Sequence, residues 1–134
     1  MIRNIDHIGI AVKDLKKTIK VLECLGLSVA ESGRVEAVQI EVAFFDVGGT
    51  RIELVSPLVE EHELAQHIKE RGEGLHHIAF NVKDIGETAK NLEKSGIRID
   101  PARPKGKGHG GKEFVFLDPA DTSGILVELY QEIK

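Results

Sequence analysis

The sequence has little of three features that would each indicate a particular class of protein. It contains one cysteine, Cys24, among 134 residues, so no disulfide can form within the chain. It has no apolar run long enough to span a bilayer, and its amino terminus lacks the basic-then-apolar pattern of a signal peptide. It has no basic excess, since 18 lysines and arginines accompany 22 acidic residues. We therefore expect a cytoplasmic protein that binds neither nucleic acid nor a membrane.

What the sequence does contain is an internal repeat. A shift of 70 positions aligns residues 6–15, DHIGIAVKDL, with residues 76–85, HHIAFNVKDI. The match continues without a gap beyond these residues, and Thr18 aligns with Thr88. The repeat therefore predicts duplication of a small unit. The two units and the segment that connects them are expected over residues of about 1–58, 74–134 and 60–72, respectively.

Both halves predict the same order of elements. An alternating strand comes first, and Asp14 or Asp84 then caps a helix that ends at a glycine. Three strand-like runs follow, which in the second half are IRIDP, KEFVFLDP and GILVELYQ. In the first half, VGGT indicates a hairpin turn between the last two strands. Residues 60–72 are typical of a connecting helix that ends at Gly72.

These patterns predict an α+β fold. Two tandem βαβββ units are expected to form a curved mixed β-sheet with the helices packed outside it. A unit of roughly 60 residues is marginal by itself, so we expect a single domain over residues 1–134. Cys24 lies in the helix-like, apolar segment TIKVLECLGL. It is therefore expected to be a packed core residue and not a nucleophile.

The repeat also places potential metal ligands at equivalent positions. His7 and His77 lie on the first strands of the two halves, and Glu53 and Glu128 lie among apolar residues on the last strands. A carboxylate with apolar neighbours is costly to bury unless it is paired or coordinated. Imidazole and carboxylate ligands together suit Zn, Co, Ni, Mn or Fe. The sequence therefore predicts a site of two histidines and two glutamates that leaves one or two positions open for a substrate oxygen.

Each of these residues, taken alone, has an ordinary explanation. A single strand histidine is more often a core or surface residue, and a strand glutamate is often solvated. The symmetry of the four positions favours the metal site. His76 should point to the face opposite His77 and serve packing or support. His62 and His67, on the connecting helix, are expected to be solvated.

A basic, glycine-rich segment precedes the strand KEFVFLDP. It is PARPKGKGHGGKEF, residues 101–114. Lys105, with the backbone amides of Gly110 and Gly111, could bind a phosphate group of a substrate. A flexible basic hairpin loop explains the composition equally well. The clustering of positive charge in an acidic chain favours the phosphate-bearing ligand.

Five segments resemble a known family. They are IDHIGIAVKDL, GTRIELVSPL, KERGEGLHHIAFNVKDI, GHGGKEFVFLDP and GILVELYQ. In this order and spacing they resemble the methylmalonyl-CoA epimerases, a family of the vicinal oxygen chelate (glyoxalase I-like) superfamily. The resemblance covers nearly the whole chain, and GEGLHHIAF and GHGG are its most discriminating parts. FLDP departs from the family, in which a histidine more often precedes the proline.

The resemblance implies an enzyme that interconverts (R)- and (S)-methylmalonyl-CoA at C2. It implies that His7, His77 and Glu128 bind a divalent metal, with Glu53 in a position where relatives carry Gln or Glu. Cobalt is the expected ion, with zinc, manganese, nickel and magnesium as alternatives. An acyl-CoA substrate and a homodimer are also implied. Glu128 is the candidate group that moves the C2 proton.

Two matters stay open at this point. The second acid–base group is unidentified, because pairing of Phe44 with Glu53 across the hairpin would turn Val42 toward the metal and Glu41 away from it. The reaction also has rivals, because the same four ligands would serve a glyoxalase I-type lyase or isomerase. A non-catalytic member of the superfamily would use a hollow formed by the curved sheet to bind a small molecule.

Overall fold

The computed structural model describes residues 2–108 and 111–131, which contain eight strands and three α-helices. All eight strands belong to one mixed sheet. The described residues divide into two compact units, of which one consists of residues 7–76 and the other of residues 2–6, 77–108 and 111–131. In chain order the elements are β1 (Ile2–Ala11), α1 (Leu15–Cys24), β2 (Val29–Val35), β3 (Ile40–Val47), β4 (Thr50–Pro57), α2 (Glu63–Arg71), β5 (Gly74–Val82), α3 (Ile85–Glu93), β6 (Gly106–Lys107), β7 (Glu113–Phe116) and β8 (Val127–Gln131).

In the first unit the strands follow the order β2-β3-β4-β1. Strand β3 is antiparallel to β2 and β4, whereas β1 is parallel to β4. The β3–β4 turn consists of Gly48 and Gly49, with φ of 59° and 92°. A two-residue hairpin of this kind needs positive φ at both central positions, which glycine adopts without a steric penalty. The predicted hairpin, with Val47 opposite Thr50, is confirmed.

Two apolar clusters lie on opposite faces of β3, because successive side chains of a strand alternate. Phe45 packs with residues of α1 and β4 in one cluster, whereas Phe44 packs with residues of β4 and α2 in the other. Both rings are almost completely buried, with 0% and 1% exposure. Helix α1 begins after Asp14, whose carboxylate accepts a hydrogen bond of 3.1 Å from the amide of Lys17, as the predicted cap requires.

The prediction that Cys24 is a core residue is wrong, because its side chain is exposed. Leu15 is buried, and Ile19 and Leu22 are partly buried against the same cluster, so these three residues define the inner face of α1. Cys24 lies two residues beyond Leu22, which is a rotation of roughly 200° around an α-helix. Its thiol therefore points away from the core.

Helix α2 confirms the predicted connecting helix, and Gly72 caps its carboxyl end. His62 is not simply solvated, however, because it is the half-buried N-cap of this helix. Its Nδ1 accepts from the amide of Leu64 at 2.9 Å, and its Nε2 lies 2.8 Å from the carbonyl oxygen of Val38. His67 is also half-buried, and its ring meets that of His76 edge-on at 4.7 Å.

The second unit contains the strand order β5-β8-β7-β6, with β8 parallel to β5 and antiparallel to β7. Asp84 caps α3 through a hydrogen bond of 2.8 Å from the amide of Glu87. The strand predicted over residues 97–101 is wrong, because only an isolated bridge between Ile99 and Leu117 forms there. The second strand of this unit is instead the two-residue β6.

The predicted α+β fold of two tandem βαβββ units in one mixed sheet is confirmed. Each unit contributes a first strand, a helix and three further strands, of which the last lies parallel to the first. Within residues 2–108 and 111–131, none of the helices is both long enough and apolar enough to cross a membrane.

Candidate metal centre

His7 and Glu53 form a buried pair in the first unit. Strands β1 and β4 run parallel, with His7 opposite Arg51 and Gly9 opposite Glu53, so the two side chains lie on the same face. The Nε2 atom of His7 lies 3.5 Å from Oε1 of Glu53. His7 is 1% exposed and Glu53 is 9% exposed. A buried carboxylate requires a partner of this kind.

The ring of Phe44 contacts the imidazole of His7 from the side. Phe44 pairs with Glu53 across the β3–β4 hairpin, as expected from the turn, and therefore lies on the same face as the pair. Its ring meets that of His7 edge-on, with centroids 5.6 Å apart and an interplanar angle of 82°. Aromatic rings favour this geometry. Phe44 belongs to the buried cluster that packs against α2, so the His7 ring contacts a closely packed side chain.

His77 and Glu128 form the equivalent buried pair in the second unit. Strands β5 and β8 run parallel with Ala79 opposite Glu128, and Nε2 of His77 lies 3.4 Å from Oε1 of Glu128. Phe116 pairs with Glu128 across β7 and β8, and its ring meets that of His77 edge-on at 5.7 Å and 86°. Each unit thus contains a histidine, a glutamate and a phenylalanine in the same arrangement.

The donor set suits a divalent cation. Each unit supplies one buried imidazole and one buried carboxylate, His7 with Glu53 and His77 with Glu128. Imidazoles and carboxylates are ligands that borderline metals such as Zn²⁺ and Co²⁺ accept. These side chains could therefore hold a metal ion.

Glu41 lies away from this face, as the hairpin register predicted. Its carboxylate contacts the exposed Arg34 on β2, at 3.5 Å. Val42, by contrast, is fully buried in the same cluster as Phe44. The structure therefore gives no support to Glu41 as an acid–base group.

The basic loop is only partly described. Lys105 is exposed just before β6, whereas Gly110 lies outside the described residues. The amide of Gly111 donates to the carbonyl of Gly108 at 3.1 Å, so in this conformation it serves the turn itself. Lys112, in the same loop, is half-buried and has its Nζ atom 5.5 Å from the centroid of the Tyr130 ring.

Comparison with known proteins places the chain in a superfamily and finds relatives that are named epimerases. Residues 6–116 match the family described as the Glyoxalase/Bleomycin resistance protein/Dioxygenase superfamily. The chain is 35% identical over 129 residues to the human mitochondrial methylmalonyl-CoA epimerase, covering 95% of this chain and 73% of that protein. It is 35% identical over 134 residues to an ethylmalonyl-CoA/methylmalonyl-CoA epimerase of Cereibacter sphaeroides, covering 98% and 99% of the two chains.

Solved structures of methylmalonyl-CoA epimerases have the same fold as this chain. The methylmalonyl-CoA epimerase of Mycobacterium tuberculosis superposes with a TM-score of 0.91 at 27% identity, covering 99% of this chain and 90% of that one. A methylmalonyl-CoA epimerase in complex with methylmalonyl-CoA and NH4+ superposes with a TM-score of 0.90 at 29% identity, covering 98% and 96%. The predicted glyoxalase-type fold is thereby confirmed.

Proposed function

Because the chain belongs to the Glyoxalase/Bleomycin resistance protein/Dioxygenase superfamily, we propose that it is a metal-dependent methylmalonyl-CoA epimerase, which interconverts the (R) and (S) forms at C2. One observation carries the proposal. A buried His–Glu pair recurs at equivalent positions of both units, in a chain that is 35% identical over nearly its whole length to enzymes named for this reaction. A glyoxalase I-type isomerase is the alternative that the test below separates.

We propose that His7, Glu53, His77 and Glu128 together bind the metal. The buried pair of His7 with Glu53 and the equivalent pair of His77 with Glu128 support this proposal. Cobalt is the first choice, with zinc, manganese, nickel or magnesium as alternatives, because imidazole and carboxylate ligands suit divalent ions of this kind. When bound, the cation supplies positive charge that stabilises an enolate.

The reaction requires removal and return of a proton at C2. The C–H bond between a thioester and a carboxylate is acidified, but the enolate that forms needs stabilisation. We assign the proton transfer on one face to the carboxylate of Glu128, because it is buried and contacts His77, which orients it. Return of a proton on the other face requires a second group or movement of the first, and Glu41 does not supply it.

The substrate, assembly and location complete the proposal. The positive charge of Lys105, in a loop with Gly110 and Gly111, would attract a phosphate of the CoA moiety. A homodimer, one domain over residues 1–134 and a cytoplasmic location remain parts of the proposal. The exposed, free thiol of Cys24 supports a reducing compartment.

The test is proton exchange at C2. Protein loaded with Co²⁺ is incubated with (S)-methylmalonyl-CoA in deuterated water, and loss of the C2 proton is followed by NMR together with formation of the (R) epimer. We expect exchange that requires metal and is lost in His77→Ala. His76→Ala is the matched control, because this neighbouring histidine points to the opposite face and contacts His67; it should retain exchange.

A folded, metal-loaded protein that exchanges no proton with Co²⁺, Zn²⁺, Mn²⁺ or Ni²⁺ would refute the epimerase proposal. The next substrates to try would then be the thiol adducts of ketoaldehydes that a glyoxalase I isomerises. Equal loss of exchange in His76→Ala and His77→Ala would instead contradict the assignment of His77 as a ligand.

A further inference from the structure

The face of the sheet that carries His7 and Glu53 also carries a cation that the metal site does not use. Arg51 precedes Glu53 by two residues on β4, so both side chains project from the same face. Its Cα pairs with that of His7 on β1. The Arg51 side chain is only 15% exposed. A largely buried arginine therefore lies directly opposite His7, a proposed metal ligand, and we ask what it binds.

The Arg51 guanidinium is held in place from two directions. Its central carbon lies 4.2 Å from the centroid of the Phe44 ring, within the range of a cation–π contact. Phe44 cannot shift easily, because it is 1% exposed and packed in the core. The Nη1 atom also lies 3.7 Å from a carboxylate oxygen of Glu31, whose side chain is 50% exposed. Glu31 therefore helps to orient the guanidinium.

We propose that Arg51 is a specificity residue that binds the free carboxylate of a malonyl-type substrate. This inference rests on the proposed function. Methylmalonyl-CoA carries its carboxylate on C2, the carbon that reacts, whereas its phosphates are separated from C2 by the whole pantetheine arm. A cation beside His7 and Glu53 is therefore placed for the carboxylate and not for the phosphates. The planar fork of arginine matches a carboxylate in two-point contact, which a lysine cannot reproduce.

The stacking on Phe44 makes Arg51 suited to this task. A rigid aromatic surface under the guanidinium reduces the side-chain entropy that is lost when a ligand binds. It also replaces part of the hydration that a cation gives up on burial. Arg34, on β2, offers a contrast, because its side chain is 61% exposed and pairs with Glu41. The Arg34 guanidinium is therefore not held in a fixed orientation that would favour binding of a ligand.

The experiment compares two ligands that differ only in the carboxylate. Binding of malonyl-CoA and of acetyl-CoA to Co²⁺-loaded protein is measured by titration calorimetry for the wild type, Arg51→Met, Arg51→Lys and Arg34→Met. A charge-assisted hydrogen bond contributes about 1.5–3 kcal/mol, so Arg51→Met should weaken malonyl-CoA binding about 10- to 100-fold. Acetyl-CoA binding should change by less than about twofold. Arg51→Lys should restore part of the loss, and Arg34→Met should resemble the wild type.

Equal weakening of both ligands by Arg51→Met would overturn the inference, since it would show general damage to the site. Unchanged malonyl-CoA binding would overturn it as well. Neither ligand turns over to a different epimer, so the result does not depend on catalysis. If the wild type exchanges no C2 proton yet Arg51→Met selectively loses malonyl-CoA, the epimerase proposal fails and the carboxylate site stands. If exchange occurs and selectivity is unaffected, only the Arg51 inference fails.

Discussion

Phe44 and Phe45 allow the packing role of a core ring to be separated from its role at the candidate metal centre. The two rings are neighbours on β3 and are equally buried, with 1% and 0% exposure. They face opposite sides of the sheet, since Phe44 contacts His7 and Arg51 whereas Phe45 packs against α1. Phe44→Leu and Phe45→Leu are therefore matched perturbations of the same chemistry.

The expected losses of stability follow from burial. Truncating a buried phenylalanine to alanine costs about 3–5 kcal/mol, and hydrophobic swaps of similar volume cost less than about 1.5 kcal/mol. Leucine lies between these cases, so each variant should lose about 1–2 kcal/mol of unfolding free energy. Phe44→Leu also removes the ring beneath Arg51, which adds about 0.5–1 kcal/mol. With a urea m-value of about 2 kcal/mol per molar, the unfolding midpoint should fall by roughly 0.5–1 M in Phe45→Leu and by roughly 0.75–1.5 M in Phe44→Leu.

Phe44→Leu and Phe45→Leu should differ in their affinity for the metal. Removing a group that orients a metal-ligating histidine typically weakens metal binding about 10- to 100-fold. The contact between Phe44 and His7 is an edge-on ring contact and not a hydrogen bond, so Phe44→Leu should weaken Co²⁺ binding by about tenfold, at the lower end of that range. Phe45→Leu should leave it within about twofold, because its ring packs on the other face.

Urea unfolding is measured on metal-free protein, so that bound metal does not stabilise the folded state by mass action. Cobalt affinity is measured separately from the visible spectrum of the bound ion. Equal weakening of Co²⁺ binding by both variants would refute the argument that Phe44 fixes the His7 ring, since it would trace the effect to general loosening of the sheet. Unchanged affinity in Phe44→Leu would refute it equally.

The equivalent placement of the buried pairs was predictable because it follows from strand periodicity and duplication. The repeat aligns His7 with His77, and side-chain alternation then fixes which face each occupies. The two-residue hairpin fixes the pairing of Phe44 with Glu53, since a turn of known length sets the register of the whole hairpin. Strand periodicity, the repeat and the hairpin length therefore predict the fold, the sheet face on which each side chain lies, and the candidate ligands.

Other features depend on contacts that no local pattern encodes. Cys24 lies in an apolar helical segment, yet its exposure depends on which side of α1 meets the sheet. His62 caps α2 through contacts of both ring nitrogens, one of them to Val38, a residue distant in sequence. The short β6 replaces the strand predicted over residues 97–101 because the partner that completes a strand is set by tertiary pairing. The stacking of Arg51 on Phe44 likewise requires knowledge of where a long, flexible side chain comes to rest.

Two further predictions concern groups outside the candidate centre. Asp84→Ala removes the cap that accepts from the amide of Glu87 and should lower the unfolding free energy by about 0.5–2 kcal/mol in urea titrations; an unchanged midpoint would show that α3 does not need this cap. Arg98→Ala should raise the pKa of Asp121, which is lowered chiefly by a side-chain hydrogen bond from Arg98 and further by a backbone hydrogen bond from the same residue. A lowered folded-state pKa contributes stability above the pKa of the unfolded carboxyl and loses it as the pH falls through the folded value. Any difference in stability between the wild type and Arg98→Ala should therefore be present at neutral pH and vanish in acid, and an NMR titration of the Asp121 carboxyl that is identical in both proteins would contradict the assigned cause.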